Sequence, residues 1–161
     1  MNSEYSVRLA SPNDYSRIEQ IVNESFPRFF RFFASHSLHE DGLVLVSEIP
    51  ATITGFAKLI DFQLSDAKYG CILWLAVKPE FRRKGIARSL VKTGTEQLKK
   101  DGASLVFASV SRSNVASITV FCKEGFRKMS FLSLWRLFSW RVFRLFNDIW
   151  LAPGEIVLMH Q

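Results

Sequence analysis

Histidine and cysteine are scarce in this chain, at three and two among 161 residues. That shortage removes most metal chemistry at the outset. Cys71 and Cys122 lack any paired metal-ligand spacing and lie in apolar surroundings, so they read as buried, reduced thiols rather than as a disulfide. His36 and His39 form a helical i, i+3 pair without a third ligand; an exposed turn accounts for them, and no metal is expected. Proline and glycine, at five and eight, punctuate the chain without forming a linker, a repeat or a low-complexity stretch. The opening Met1-Asn2-Ser3-Glu4-Tyr5 is polar and enters a strand pattern directly, unlike a secretory leader. The cytoplasm is therefore the expected compartment.

What the chain does have is apolar content, 48%, and positive charge, a net +6. The length and apolar share predict a single domain over residues 1–161 with a self-sufficient core. The charge suits a polyanionic partner, without choosing among nucleic acid, a lipid surface and a phosphate-bearing cofactor. Its distribution is more informative. Arg82, Arg83 and Lys84 are consecutive, with Lys78 and Arg88 just outside them, while Arg136, Arg141 and Arg144 form a second group. Neither group is the aromatic-interleaved basic stripe of a nucleic-acid module, so DNA or RNA is not the expected partner.

Periodicity predicts a mixed α/β sheet. Tyr5 to Ala10 alternates like a strand, and Ser11-Pro12-Asn13-Asp14 supplies the cap and first turn of a helix carrying Ile18, Ile21 and Val22. Pro27 breaks that helix, and Phe26, Phe29, Phe30, Phe32 and Phe33 crowd a short second one before Asp41-Gly42. Strands are expected at Val44 to Glu48, Ile53 to Phe62, Tyr69 to Val77, Leu105 to Val110, Arg127 to Phe131 and Glu155 to Met159. Strands grouped first, then a strand-loop-helix-strand unit, suit such a sheet.

The basic loop sits at a telling place. Leu73 to Val77 is an apolar run of strand length, ended by Lys78-Pro79-Glu80. Beyond the loop, Ile86, Leu90, Val91 and Leu98 recur at helical spacing until Asp101-Gly102. Glycine at 85 permits a tight turn, amide N–H groups and a helix N-terminus gather there, and cations supply charge for phosphate. A Walker-type loop requires Ser or Thr after Gly-Lys, and a dinucleotide fingerprint requires three glycines. Gly85 stands alone and is followed by Ile86, so both fail. The remaining pattern, R/Q-x-x-G-x-G/A at Arg82, Gly85 and Ala87, resembles motif A of the GNAT family of N-acetyltransferases. Asn114, Phe121 and Gly125-Phe126 follow at spacings similar to that family's.

The resemblance implies a mostly antiparallel sheet, flanked by helices and splayed between its fourth and fifth strands, here Leu73 to Val77 and Leu105 to Val110. It implies acetyl-CoA as acyl donor, with Arg82, Arg83, Lys84, Gly85, Ile86, Ala87 and Arg88 around the pyrophosphate. Leu75 and Val77 would meet the pantetheine arm through backbone groups, and Asn114 and Phe121 would also face the cofactor. The expected reaction is direct attack by a primary amine in a ternary complex, with the Val77 N–H stabilising the oxyanion and no metal or covalent enzyme intermediate. The family often has tyrosine where this chain has Phe121, which removes that side chain as proton donor. Cys122 is an alternative acid or nucleophile, and Glu48, Asp61, Asp66 and Tyr69 are candidate bases that no motif fixes. A different class also stays open: an acyl-CoA-binding or membrane-associated module with little turnover.

Residues 132–151 fall outside the common motifs. At helical periodicity, Leu134, Trp135, Phe138, Val142, Leu145, Phe146 and Ile149 share one arc opposite Arg136, Arg141, Arg144, Asn147 and Asp148, predicting one aromatic amphipathic helix. It could cover the acceptor groove or an exposed part of the sheet, form a homodimer or partner surface, or lie on a membrane. Its charges argue against a transmembrane span.

Overall fold

The computed structural model describes residues 5–161; the polar opening Met1 to Glu4 lies outside the described residues. Seven strands form one sheet: β1 Ser6–Leu9, β2 Leu43–Ile49, β3 Thr52–Leu64, β4 Ala67–Val77, β5 Leu105–Ser111, β6 Arg127–Met129 and β7 Glu155–His160. Their spatial order is β1-β2-β3-β4-β5-β7-β6. Every neighbouring pair is antiparallel except β4 and β5. Two-residue connections favour antiparallel pairing of β2 with β3 and of β3 with β4; β4 and β5 run parallel because a helix, α3 Ile86–Lys100, carries the chain back between them.

The β4–β5 pair is also incomplete. It joins only Tyr69, Cys71 and the intervening Gly70 to Leu105–Phe107, after which β5 continues along β7 through Ser111. Opposite the divergence, β4 bulges: Ile72 pairs with Leu59 and Trp74 with Lys58, leaving Leu73 as an extra residue. A bulge bends and twists its strand. The sheet therefore splays between its fourth and fifth strands, as expected, and the reason is local to Leu73.

One face of the sheet carries α3 and α4 (Val115–Lys123). Ile86, Leu90, Val91, Leu98, Ile118 and Phe121 pack there on Leu59, Ile72, Val106, Ala108 and Leu158. Helix α3 comes so close that a Cβ at Gly94 would lie 2.9 Å from Leu59 Cδ2. The opposite face has two separate covers. Helices α1 (Tyr15–Ser25) and α2 (Arg28–Leu38) seat Ile18, Ile21, Val22, Ala34 and Leu38 over Val44, Val46, Ile53, Phe56 and Ala76. Two further helices, α5 (Phe131–Phe138) and α6 (Val142–Asp148), seat Leu134, Phe138, Val142, Leu145 and Ile149 over Cys71, Leu73, Phe107, Val157 and Met159. Trp74 packs against both covers. Each fully buried aliphatic side chain here contributes about 1.5–3 kcal/mol. Lys58 is buried as well, its Nζ donating to the Glu40 carbonyl at 2.8 Å.

Several sequence expectations are corrected. The segment 132–151 is not one helix: a 3-10 turn at Ser139–Arg141 separates α5 from α6, and Ser139 has φ of 51°. A straight helix of that length would run about 30 Å. The bend instead lets both halves lay their apolar stripes on the same sheet. Strand β6 stops at Met129 because Ser130 caps α5, its Oγ accepting from Ser133 N at 3.1 Å. Cys122 is exposed rather than buried; α4 buries Ile118 and Phe121, and the next residue turns outward. His36 lies within α2 and His39 caps its end, each 3.3 Å from a different carboxylate, Glu40 and Glu19.

A buried-edge ion network ties β1 to both α1 and β2. Arg8 donates to Asp14 Oδ2 at 2.7 Å and to Glu48 Oε2 at 2.7 Å, and Ser11 N also donates to Asp14 at 2.7 Å. The Arg8 guanidinium holds the Asp14 carboxyl well below the usual carboxylate range, helped by Ser11, and lowers Glu48 too. Folding weakens proton binding at these groups. Their contribution is complete above about pH 4.5, where both carboxylates ionise in the unfolded chain, and is lost as acid protonates the folded carboxyls. Asp14→Asn is expected to cost about 1–3 kcal/mol in urea unfolding at neutral pH, and to flatten the loss of stability that the unaltered protein shows on acidification.

Candidate functional site

Backbone parity defines which groups of β4 face the splay. Lys78 N donates to Thr54 O on β3 at 2.8 Å, so the polar groups of Lys78 and Ala76 point toward β3. Those of Leu75 and Val77 point the other way, because N–H and C=O alternate sides along a strand. They face the gap left by β5. Along Ile72 to Val77 that edge has no strand partner among the described residues. Val77 C=O accepts from Arg82 Nε at 3.1 Å, which leaves the Val77 N–H and both Leu75 groups on the open edge.

After Val77 the chain makes one 3-10 turn, Pro79–Phe81, and then the loop. Arg82 is extended, Arg83 has φ of 63°, and Gly85 has φ of 83°. The left-handed turn at 85 is natural for glycine and costs other residues roughly 1–2 kcal/mol. A Cβ there would also stand 3.2 Å from Tyr5 Oη, which itself bonds Ser89 Oγ at 2.9 Å. Gly85 caps α3, and the first helical bond runs from Ser89 N to Gly85 O at 3.0 Å. The N–H groups of Ile86, Ala87 and Arg88 precede that bond, in the turn where a helix leaves its amides open.

Charge at the loop is partly committed. Arg88 pairs with Glu124 on the turn after α4, which raises its guanidinium above the ordinary value. Arg82, Arg83 and Lys84 are exposed and pair with no acid among the described residues, although Lys84 Nζ rests 5.4 Å from the Phe81 ring. Three cations and the start of a helix thus converge beside the open edge of β4. The arrangement suits a ligand with an anionic end and an extended arm that makes strand-like hydrogen bonds. A separate cleft of about 520 Å³ lies at the β6–β7 edge of the sheet, lined by Gly125, Arg127, Arg136 and His160 among others, with none of residues 82–88.

The remaining candidates are scattered. Asn114 is the N-cap of α4, its Oδ1 accepting from Ser117 N at 3.1 Å. Phe121 is 2% exposed, with its ring edge-on to Phe126 at 5.0 Å. Cys71 is buried and its thiol pushed far above the ordinary value by that burial, so it stays protonated and inert. Glu48 is held by Arg8. Asp61 pairs with Lys68 at 2.9 Å, and Asp66 sits in the β3–β4 turn, about 30 Å of strand from Val77. Tyr69 packs among Phe62, Phe107 and Phe138. The structure gathers the loop with Leu75 and Val77, and leaves these carboxylates outside that group.

Two features escaped the sequence reading. Tyr5 and Ser89 brace the loop from residues far apart in the chain, a pairing that no local spacing signals. Among the described residues the buried indole N–H of Trp74 has no partner; it lies under Phe26 and Phe30 and between the two covers of the second face. Among the described residues no group of three His, Cys, Asp or Glu side chains gathers.

Comparison with known proteins bears on the family and the fold. The profile of the Acetyltransferase (GNAT) family matches residues 10–126. An N-alpha-acetyltransferase of Saccharolobus solfataricus is 29% identical over 143 residues, spanning 80% of this chain and 84% of its own. Among solved structures, a GNAT-family protein from Desulfovibrio desulfuricans superposes with a TM-score of 0.73 at 16% identity, covering 98% of both chains. The PaiA N-acetyltransferase of Thermoplasma acidophilum, solved in complex with coenzyme A, gives 0.66 at 16% identity, again covering 98% of both.

The capping role of Asn114 is directly testable. Asn114→Ala should lower stability by about 1 kcal/mol, and Asn114→Asp should restore most of it. Thermal unfolding of the two variants checks this.

Proposed function

Because the chain belongs to the GNAT acetyltransferase family and is an N-acetyltransferase, we propose that it transfers the acetyl group of acetyl-CoA directly to a primary amine within a ternary complex. The observation that carries this reading is the open edge of β4 ending in the Gly85 turn and the start of α3. Those residues fit the donor. Its pyrophosphate suits the amides of Ile86, Ala87 and Arg88 with Arg82, Arg83 and Lys84, around a turn whose φ of 83° at position 85 favours glycine. Its pantetheine amides suit the outward N–H and C=O of Leu75, and the N–H of Val77. Bound there, acetyl-CoA supplies an activated acetyl carbonyl.

The chain's own work is then positional and electrostatic. The Val77 N–H is the donor available to a developing oxyanion, and such a contact typically contributes about 3–4 kcal/mol. Holding the amine against the carbonyl is worth more, ~7–11 kcal/mol. Phe121 has no proton to give and is buried, so the departing thiolate leaves without help from that side chain. We assign no carboxylate base: Glu48 is neutralised by Arg8, and Asp61 and Asp66 lie along the far half of the β3–β4 hairpin. The acceptor therefore must arrive as the free amine.

The acceptor's approach runs between the two covers of the second face, where Trp74 forms the floor. The likeness to N-alpha-acetyltransferases supports the α-amino group of a polypeptide as the acceptor. We read the reaction as cytoplasmic, a compartment that would supply acetyl-CoA.

Isothermal calorimetry should show micromolar acetyl-CoA binding. Gly85→Asp, which puts a carboxylate where the phosphates belong, should weaken it by about a hundredfold or more with the circular dichroism spectrum unchanged; no binding by the intact protein would remove the proposal. With an N-terminal peptide as acceptor, kcat/KM should climb with pH to an apparent pKa of about 8, that of an α-amine. Glu48→Gln should leave this profile in place, whereas a carboxylate base would show as its collapse.

A further inference from the structure

Large apolar side chains project from the described surface very unevenly. Three of the eleven stand on α2 and six on the segment from α5 to α6. Trp140 is 67% exposed, Phe32 70% and Phe143 61%, values that no internal packing explains. The two groups belong to the same face of the sheet and meet where Phe33 sets its ring edge on Trp150, 6.4 Å between centroids. On α5 and α6 the exposed rings are held against one another: Phe131 lies 5.9 Å from Trp135, and Trp135 lies 6.2 Å from Phe143. The patch is thus a built surface rather than a set of loose side chains. The left-handed residue Ser139 turns the chain so that Trp140 stands outward between the two helices.

Charge selects what such a surface meets. Arg28 and Arg31 on α2, with Arg136, Arg141 and Arg144 on α5 to α6, are all exposed. The one acid in these segments, Asp148, is half-buried and 3.6 Å from Arg144. Residues 28–38 and 131–150 together supply +4 of the chain's +6. Arg141 also lies 5.5 Å from the Trp140 ring, charge and apolar surface side by side. A second copy of the chain laid on this face would bring arginines against arginines, which disfavours self-association. A purely apolar partner would leave them without counter-charge. An anionic bilayer accepts both, with aromatic rings at the headgroup level and guanidinium groups on phosphates. None of the described helices is long and apolar enough to cross a membrane, so the contact is one of lying on the surface.

We propose that the face formed by α2 and the α5–α6 pair docks on an anionic lipid bilayer, with Phe32, Trp135, Trp140 and Phe143 entering the interface and the five arginines engaging lipid phosphates. The test is co-sedimentation with phosphatidylcholine vesicles prepared with and without phosphatidylglycerol. The unaltered protein should pellet with the anionic vesicles, and added salt should release it. The double variant Trp140→Ser/Phe143→Ser and the variant Arg31→Gln/Arg141→Gln should each partition roughly tenfold less or weaker still. Retained acetyl-CoA binding and circular dichroism keep a docking defect distinct from unfolding, and none of these four residues is in the donor site. Failure to pellet with anionic vesicles, or variants that pellet as the unaltered protein does, would overturn the proposal. So would a dimer in sedimentation velocity that the same aromatic substitutions disperse, since the face would then belong to a second copy.

Discussion

Two parallel strands that pair over three residues and then part are the constraint on which the rest of this structure depends. Beyond Cys71, the outward backbone groups of β4 lose β5 as a partner, and unpaired backbone polar groups are costly wherever water is excluded. The fold manages this by keeping the gap open and by tethering its end: Arg82 reaches back to the Val77 carbonyl. That single bond links strand and loop. It leaves the Val77 N–H exposed to the gap while fixing the turn that leads to Gly85 and α3. The Leu73 bulge is the geometric counterpart, because bending β4 away from β5 is what creates the space. The proposed donor recognition is therefore a property of backbone placement more than of side-chain identity. Chains that share little sequence can preserve such placement, in keeping with the 16% identity at which full-length superpositions occur.

Much of this was legible in the residues. Alternation and turn signals located every strand, and a lone glycine between a strand and a helix marked the left-handed turn before α3, because φ of 83° is a demand that sequence records as glycine. The tether from Arg82 was not legible. An arginine in a basic loop reads as charge for the ligand, and nothing local shows that its Nε is spent on a carbonyl five residues back. Asn114 shows the same limit. Its spacing identifies it, but the structure gives its side chain a capping bond that any helix start would welcome.

Elsewhere the apolar pattern misled for a physical reason. From Leu134 to Ile149 the buried positions keep nearly helical phase across the 3-10 turn, so periodicity alone cannot reveal the break. What breaks the helix is the sheet beneath: its surface is limited, and two short helices cover it where one long helix would overhang. Cys122 is a smaller case. Its neighbours Val120 and Phe121 are apolar, yet α4 buries a narrow stripe, and a residue about 100° round the helix from Phe121 falls outside it.

The division of positive charge follows the two faces of the sheet. Arg82, Arg83 and Lys84 adjoin the start of α3, which covers the first face. The arginines of α2 and α5–α6 belong to covers of the second. A bilayer on the second face would therefore leave the loop facing solvent, where a diffusing, highly charged donor can reach it without crossing the anionic headgroups that would repel it. The acceptor route differs. As proposed, it would run between α2 and the end of α6, beside the contact of Phe33 with Trp150, at the border of the aromatic patch. An amine carried near the membrane surface would enter there directly, while one from bulk solution would compete with the bilayer for the same opening. The proposed docking thus bears on the choice of acceptor and leaves donor binding untouched, because the sheet separates the two.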